Sequence, residues 1–437
     1  MFAVILLILF INISAISAEN NDTLHIQKSD SQVSSNTVTV NNLNKNSFSS
    51  LSKDIKDANN VLYLNHNYKF DSSVDKSFKK GVTITKSIKI VGNGHSLDGN
   101  GQARIIKICS NCNVVLENIV FKNGYINGEN GAAVLLGSNA KLTIKNCVFK
   151  NNIVYNCNGG AVAGSMNDIL VIQKSKFYNN KAIRNSNKIW PKDEKGMGGA
   201  IIVNIGSTFK LYDSVFKGNN AYLATILVMS HTDYGGIKTT TAYVKNCLFE
   251  KNTAKIHSVF YLDEYGKGTF LNSKFKNNKA TRGGTLILDA SKALVKNCRF
   301  EKNIGNVGGG IAVFKYTYTI SKVKIVKCTF INNHAKSSGG AFYSESSHIK
   351  ILKSKFISNN AASSGGSIFA ENSVIRLFNS LMKKNHAYTG GAIFILNKNF
   401  MIGAHNKYVK NTANNKKYNN KYCVVSGNPT KLKIRRR

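Results

Sequence analysis

The sequence predicts an all-β protein folded as a right-handed parallel β-helix of roughly 12–14 coils. Three observations predict this fold: a repeat of about 26 residues, a Gly-Gly motif at a nearly fixed place in the repeat, and short segments with apolar residues two apart. The 437-residue chain has only two prolines but 58 asparagines. Proline removes a donor from every strand ladder that it enters, whereas asparagine tolerates the left-handed bends between strands. The composition therefore fits a stack of short strands and turns.

The N-terminus has the pattern of a secretory signal peptide, residues 1–18. Residues 2–13 are apolar and uncharged, and the small residues Ser17 and Ala18 follow at the expected cleavage site. We therefore expect a protein that is secreted or held at the cell surface, in the cell envelope. The alternative is an uncleaved N-terminal anchor, which is the one route by which we expect the chain to contact a membrane.

Three further segments follow the signal. Residues 19–50 are polar and rich in Ser, Asn and Thr, and we expect them to be poorly ordered. Residues 51–411 form the predicted β-helix, which opens with a short helical piece at 51–59. Residues 412–437 are predicted to be a basic C-terminal tail.

Each repeat carries a marker, a phenylalanine followed three residues later by an asparagine. The pairs are Phe149/Asn152, Phe177/Asn180, Phe216/Asn219, Phe249/Asn252, Phe275/Asn278, Phe300/Asn303, Phe330/Asn333 and Phe356/Asn359, with Phe121 before them and Met382/Asn385 and Tyr408/Asn411 after them. A unit of this size is too small to bury its own apolar face, so neighbouring units must stack, with strands about 4.8 Å apart. We expect about three strands per unit, inward-facing phenylalanines, and asparagine amides that bond to one another along the axis.

A second motif, Gly-Gly followed by a small or apolar residue, lies eight to ten residues after most markers, as at Gly159-Gly160 and Gly339-Gly340. Glycine permits a backbone corner that a Cβ atom would obstruct. The motif therefore predicts a tight corner at the same place in successive coils.

The combined Phe-x-x-Asn and Gly-Gly-Ala-Ile pattern resembles the repeat of the chlamydial polymorphic outer membrane proteins. The same repeat marks adhesin-like surface proteins of methanogenic archaea, and residues 84–99 also resemble the first coils of those archaeal proteins. The repeat covers about residues 119–411. This resemblance implies a surface-exposed β-helix used for adhesion.

An enzyme is the alternative, because a β-helix is also the pectin lyase-like scaffold of polysaccharide lyases and glycoside hydrolases. Such chemistry needs two placed carboxylates. The pairs Asp193-Glu194 and Asp263-Glu264 are sequence neighbours that point to opposite faces of a strand, and Asp213 and Asp289 stand alone. We expect no acidic cluster at equivalent places of successive coils. The sequence therefore predicts a non-catalytic protein with no catalytic residues and no cofactor.

Four of the eight cysteines lie two residues before a marker phenylalanine, a place that serine fills in other coils. They are Cys147, Cys247, Cys298 and Cys328. We interpret this place as a small packing position, although Cys298 and Cys328 fall on adjacent coils where a disulfide is sterically conceivable. Cys109 and Cys112 have zinc-like spacing, but no second pair of this kind exists, so we predict no metal site.

The formal net charge of +38 points to anionic partners. The lysines are spread over all coils and no nucleic-acid motif is present, so we do not expect nucleic acid to bind. We expect surface glycans or proteins of another cell, or the wall of the protein's own cell, as partners. The chain itself is expected to be a monomer.

Two insertions are the predicted binding loops. The marker phenylalanines Phe177 and Phe216 are 39 residues apart, so the residues beyond the usual repeat length must leave the helix as a loop. A second insertion of this kind lies at 229–241. The candidate binding residues are Lys188, Trp190, Lys192, His231 and Tyr234. Exposed aromatic rings can stack on sugars or anchor a partner. The alternative is that Trp190 folds back over the solenoid as a cap.

Overall fold

The computed structural model describes residues 46–185, 196–233, 236–315, 319–396, 400–415, 424–426 and 432–435. These residues confirm the predicted fold class, because they form an all-β parallel solenoid of about 13 turns with four sheets along its length. The predicted signal and residues 19–45 of the polar segment lie outside the described residues.

Sheet A has 14 strands and sheet B has 13, and every strand pairs in parallel with its equivalent in the next coil. The strands of sheet A are Val61–Tyr63, Ile88–Val91, Asn113–Glu117, Lys141–Lys145, Ile169–Gln173, Thr208–Tyr212, Thr241–Lys245, Lys267–Leu271, Lys292–Lys296, Lys322–Val326, His348–Leu352, Val374–Phe378, Phe400–Ala404 and Leu432–Arg435. The strands of sheet B are Tyr68–Lys69, Ser96–Asp98, Val120–Lys122, Val148–Lys150, Lys176–Tyr178, Val215–Lys217, Leu248–Glu250, Lys274–Lys276, Arg299–Glu301, Thr329–Ile331, Lys355–Ile357, Leu381–Lys383 and Lys407–Val409.

From the coil that begins with Asn113–Glu117 onward, sheet D follows sheet B, and sheet C closes the coil before the next strand of sheet A; in the two coils before it, sheet C follows sheet B directly. The strands of sheet D are Tyr125–Asn127, Ile153–Tyr155, Lys181–Ile183, Asn220–Ala221, Thr253–Ala254, Lys279–Ala280, Ile304–Gly305, His334–Ala335, Asn360–Ser364, His386–Thr389 and Thr412–Ala413. The strands of sheet C are Val82–Ile84, Ile106–Ile108, Val134–Leu136, Val162–Ala163, Ile201–Val203, Ala224–Val228, Ser258–Leu262, Leu286–Asp289, Ile311–Phe314, Phe342–Glu345, Ile368–Glu371, Ile393–Leu396 and Val424–Ser426.

The expectation of three strands per coil holds for the first two coils and is corrected to four for most of the others. The additional strands are those of sheet D, several of which have only two residues, such as His334–Ala335. Two residues are too few to show an alternating apolar pattern, so the sequence gives no separate signal for them.

The N-terminal end of the described solenoid is covered by the helix Phe48–Asp57, which starts before the predicted 51–59. Ser47 caps this helix, and the buried Asp75 carboxylate accepts hydrogen bonds from the backbone N–H groups of Phe48 and Ser49 at 2.9 and 2.8 Å. Phe48 packs into the interior. A short 3₁₀ helix, Lys76–Phe78, holds the loop that carries Asp75.

The chain continues to pair after Asn411, where the sequence analysis ends the β-helix. The described strands Thr412–Ala413, Val424–Ser426 and Leu432–Arg435 join sheets D, C and A respectively. The sheets therefore extend into the segment that the sequence assigns to a basic tail.

The marker phenylalanines face inward, as predicted, and form one continuous stack. All are fully buried, and neighbouring rings from Phe121 to Phe356 lie 4.5–5.3 Å apart between centroids. Offset stacking of this kind adds to the free energy gained from burying the rings. Met382 continues the stack without an aromatic ring.

The marker asparagines form the predicted amide ladder. In a typical step, Asn303 Nδ2 donates to Asn333 Oδ1 at 3.0 Å and to the Phe275 carbonyl at 2.9 Å, while Asn333 Oδ1 also accepts from the Asn303 backbone N–H. The same bonds recur from Asn152 to Asn411. Each buried amide is thereby satisfied, which removes the penalty for burying a polar group.

The left-handed backbone conformation at the bends is adopted by residues other than the marker asparagines. They lie one and six residues before each marker asparagine, for example at Asn332 and Lys327, with φ of 52° and 53°. The Gly-Gly corner behaves as predicted: Gly339 has φ of +67°, and a Cβ on Gly340 would lie 2.3 Å from the Gly366 carbonyl oxygen.

The cysteine positions also agree with the packing interpretation. Cys147, Cys247, Cys298 and Cys328 are buried and free. Serine hydroxyls of the next coil accept from the backbone of three of them, as in the bond from Cys328 N–H to Ser354 Oγ at 3.2 Å, whereas Cys298 lies beside Cys328. Cys109 and Cys112, the pair with zinc-like spacing, are joined as a disulfide with 5.6 Å between their Cα atoms.

Candidate binding surface on sheet A

The first predicted binding loop lies almost entirely outside the described residues. Lys188, Trp190 and Lys192 fall in the gap between residues 185 and 196, so their prediction stays a prediction. At the two ends of this gap, Arg184 lies over the Tyr222 ring, 5.3 Å from its centroid, and Gly196 packs against the same tyrosine.

The second predicted loop leaves the solenoid as an antiparallel hairpin, His231–Asp233 with Gly236–Lys238. Its base is closed by the buried Thr240, whose backbone N–H donates to Ser230 Oγ at 2.9 Å. His231 is placed by its backbone in the first hairpin strand, and Tyr234 lies outside the described residues.

The described residues show a different charged surface, on the outer face of sheet A. The strands between Thr241 and Phe378 alternate regularly, so three positions of each five-residue strand face outward. Seven exposed cations lie on this face: Lys296 at the end of its strand, and six that form two aligned rows, Lys267, Lys292, Lys322, Lys324, Lys350 and Arg376. We call these six the basic strip.

The basic strip consists of two rows set by the strand register. Lys267, Lys292 and Lys322 occupy equivalent positions on three successive coils. Two residues further along the strands, Lys324, Lys350 and Arg376 form the second row. His348 extends the first row by one coil.

Among the described residues, no carboxylate forms a salt bridge with a cation of the basic strip. The outward positions of the six strands from Thr241–Lys245 to Val374–Phe378 contain no Asp or Glu. Like charges stacked about 4.8 Å apart repel each other. The strip therefore carries uncompensated positive charge that a bound anion would neutralise.

The surface under the basic strip is concave. A depression of about 330 Å³ is lined by Lys322, Lys324, His348, Lys350 and Arg376. A second depression, of about 470 Å³, shares Lys322 with the first and is lined by Thr241, Tyr243, Lys267, Thr269 and Lys292. The two shallow depressions adjoin at Lys322, and we call them together the groove.

The second depression lies over three small inward residues on successive coils, Ala242, Gly268 and Ala293. Larger side chains fill the interior instead: the rings of Phe260 and Phe270 meet edge to face at 5.0 Å. A Cβ on Gly268 would lie 2.7 Å from a methyl carbon of Leu262. The choice of inward side chains thus shapes the outer groove.

The expectation that acids do not recur at equivalent places is wrong for sheet C. Leu262 pairs with Leu288, which places Asp263 and Asp289 on neighbouring coils, and Glu345 pairs with Glu371 two coils further on. Asp263 and Glu264 follow the strand Ser258–Leu262 in a turn, so they do not lie on opposite faces of a strand, and Asp193 and Glu194 lie outside the described residues. Stacking brings together residues that are one coil apart.

Asp263 and Asp289 share a tyrosine. The Tyr261 hydroxyl donates to Asp289 Oδ2 at 3.0 Å and also lies beside Asp263. Burial raises the pKa of Asp263 to about 7, and the charges of Asp289 and Glu264 add to this shift. Burial also raises the pKa of Asp289. His257 stacks on Tyr261 at 5.0 Å, and burial lowers the pKa of His257 to about 4.

Neither the basic strip of sheet A nor the row of acids along sheet C was predicted from the sequence, although the spacing of these residues from the marker phenylalanine contains a signal. Lys267, Lys292 and Lys322 each lie eight residues before the marker phenylalanine of their coil, and the second row lies six residues before its marker. Asp289, Glu345 and Glu371 lie eleven residues before the marker, whereas Asp263 lies twelve before it. Alignment of the coils on the marker would therefore have revealed the basic strip in full and the acidic row in part.

Comparison with known proteins supports the repeat. Residues 327–345 match the Chlamydia polymorphic membrane protein repeat. A 149-residue stretch, 33% of this chain, is 32% identical to the metabotropic glutamate receptor-like protein R of Dictyostelium discoideum and spans 9% of that protein's length. No solved structure matches the chain. The repeat and the solenoid fit a surface β-helix protein.

Two further findings concern the described residues alone. None of their helices has the length and apolar character needed to span a bilayer. They also contain no group of three or more His, Cys, Asp or Glu side chains arranged to hold a metal ion.

Proposed function

We propose that the protein is a secreted or cell-surface adhesin-like solenoid that binds anionic polymers of a cell surface without chemical turnover. The basic strip supports this proposal, because it joins exposed cations on five successive coils in one groove without a compensating acid. Such a surface concentrates positive potential and attracts polyanions at long range. The partners are glycans or proteins of another cell or of the protein's own cell wall.

The repeat supports a location at the cell surface. Its match to the Chlamydia polymorphic membrane protein repeat covers one stretch of the solenoid, and the predicted signal peptide at residues 1–18 would direct the chain out of the cell. The resemblance to adhesin-like proteins of methanogenic archaea gives the same context. Repeated coils present an extended face to another surface, which suits adhesion better than the capture of a small molecule.

A carbohydrate-active enzyme is the second candidate, and the group formed by Tyr261, Asp263, Asp289 and His257 favours it. Two carboxyl groups with raised pKa values beside a tyrosine could supply an acid and a base. Two observations favour the binding protein over the enzyme. Asp289 is 8% exposed and Tyr261 7% exposed, which leaves little of either side chain open to a glycan, and the group lies on sheet C rather than in the groove of sheet A.

A pair of matched double variants tests the proposal. Lys324→Gln with Lys350→Gln removes two charges from the basic strip, and Lys355→Gln with Lys383→Gln removes two exposed lysines from sheet B. Binding of each full-length protein to whole cells and isolated wall material is measured at low salt. We expect binding about tenfold weaker for the sheet A variant, or about 1.4 kcal/mol, and within twofold of wild type for the control.

The binding measurement tests the role of the groove, and a cleavage assay on polygalacturonate separates the two candidate functions. Equal losses in both variants would show that net charge, not the groove, drives binding. Release of reducing or unsaturated ends from polygalacturonate by the wild type, abolished by Asp263→Asn, would replace the binding function with the enzyme.

A further inference from the structure

We propose that the ligand of the basic strip is a linear acidic polysaccharide that lies along the solenoid axis, with about one acidic sugar unit over each coil. This inference rests on the proposed function and adds the class, direction and length of the ligand. It depends on three properties of the strip: the direction of its rows, the residues between them and the number of coils that they cross.

The rows favour a polymer along the axis. Along the axis, a ligand meets Lys267, Lys292 and Lys322 in turn, each one coil from the next at about 4.8 Å. A ligand that runs along a strand meets at most two cations of the strip, Lys322 and Lys324, about 6.6 Å apart, before it reaches the corner of the coil. Only the axial direction therefore repeats one charge at a constant interval.

The interval and the lining residues favour a polysaccharide. The coil spacing is comparable to the length of one pyranose unit in an extended chain. Thr241 and Thr269 place hydroxyl groups in the groove, and Tyr243 offers one half-buried ring beside them. Sugars use hydroxyl partners and a single aromatic face in this way. Single-stranded nucleic acid binds instead to a series of aromatic platforms, which the outward positions of these strands do not provide.

The length of the strip sets the length of the ligand. The cations begin on the strand Lys267–Leu271 and end on the strand Val374–Phe378, which is the fifth strand of the series. The two rows overlap on the strand Lys322–Val326, so one polymer can pass from the first row to the second. An oligomer of about five acidic units would place one unit over each of the five coils, with the middle unit facing both Lys322 and Lys324, and longer oligomers would gain little more.

The test measures the affinity of the full-length protein for oligogalacturonates of one to eight units, with heparin fragments of matched length as the sulfated counterpart. We expect affinity to rise with each unit up to about five and then to level off. For the hexamer, Lys324→Gln with Lys350→Gln should lower the slope of log affinity against log salt by about two, one per lysine. The control, Lys355→Gln with Lys383→Gln, should leave this slope unchanged. Comparison of the two oligomer series then shows whether the strip prefers carboxylated or sulfated sugars.

Several results would overturn the inference while leaving the proposed function in place. Monomeric galacturonate that binds as tightly as the hexamer would exclude an extended ligand. A single-stranded oligonucleotide of equal charge that binds more tightly than both sugar series at the same salt would assign the strip to nucleic acid. If neither cells nor any oligomer distinguishes the sheet A variant from the sheet B control, the inference and the proposed function fail together.

Discussion

Sheets A and B belong to the same coils and are both rich in lysine, but their outer faces differ in how the charges are paired. On sheet B, Glu301 accepts from Arg299 Nε at 2.8 Å and lies 3.5 Å from Lys274 Nζ. Glu250 lies 3.4 Å from Lys217 Nζ in the same way. On sheet A, the outward positions of the strands from Thr241–Lys245 to Val374–Phe378 contain no Asp or Glu. The net positive charge of the chain is therefore not a uniform coat, because one face keeps its charge available for a partner.

The interior under the two sheets differs as well. Sheet B covers the stack of marker phenylalanines, which is fully buried and regular from coil to coil. Sheet A covers Ala242, Gly268 and Ala293 where the groove is formed. A solenoid repeats its backbone, but each sheet can vary its side chains independently. Here one sheet secures the stack and the other shapes a surface.

The largest expected effect is on the interior under sheet B. Phe300→Ala should lower the free energy of unfolding by about 3–5 kcal/mol, because it leaves a cavity between Phe275 and Phe330 in the ring stack. Phe378→Ala on the outer face of sheet A is the control, with an expected loss below about 1 kcal/mol. Urea denaturation measures both. A Phe300→Ala loss of under half a kcal/mol would contradict an inward stack.

The comparison also shows what the sequence can predict. The marker phenylalanines, the asparagine ladder and the serine-cysteine position recur in nearly every coil, so the sequence identifies them directly. The basic strip occupies only part of the solenoid, on five coils, and its residues are common lysines. Their significance depends on the absence of acids nearby, which appears only after the coils are aligned. Several strands of sheet D have only two residues, which is too short for an alternating pattern to reveal them.

A second prediction concerns the interior under sheet A. Gly268→Val should destabilise the protein by about 1–3 kcal/mol, since its Cβ alone would lie 2.7 Å from Leu262 and 2.9 Å from Phe270. The strand must move outward to accept the side chain, which would make the groove shallower. Thermal unfolding and oligogalacturonate affinity are the two measurements. Unchanged stability would show that the small inward residues do not set the position of the strand.

A third prediction extends the comparison to sheet C. Burial raises the pKa of Asp263 to about 7, above its ordinary value near 4 in the unfolded chain. The folded state therefore holds the proton more tightly, and the stability due to this group is full below pH 4 and is lost as the pH rises through 7. Asp263→Asn mimics the protonated form, so it should raise the free energy of unfolding by about 1–3 kcal/mol at pH 8.

The control for this prediction is the same comparison at low pH. At pH 4, where the wild-type carboxyl group is protonated in the folded state, Asp263→Asn should change stability little. The measurement is urea denaturation of both proteins from pH 4 to 8. A stability gain that is equal at all pH values would mean that the Asp263 carboxyl group does not take up a proton on folding.

The smallest expected effects come from removing one charge from each sheet. The free energy of unfolding should fall when a charge is removed from sheet B and rise when one is removed from sheet A. Arg299 and Lys274 hold the pKa of Glu301 below its usual range, so the stabilisation by this carboxylate is present above pH 4.3 and is lost as the pH falls through the lower folded pKa. At pH 7 and low salt, Glu301→Gln should lower the free energy of unfolding by about 0.2–1 kcal/mol.

Lys324→Gln should instead stabilise the chain by a few tenths of a kcal/mol, since it removes repulsion from Lys350 in the next coil. Salt at about 0.5 M should bring both values close to zero, because the Debye length is then only a few ångströms. A loss of stability for Lys324→Gln that matches the loss for Glu301→Gln would mean that the cations of the basic strip already have partners.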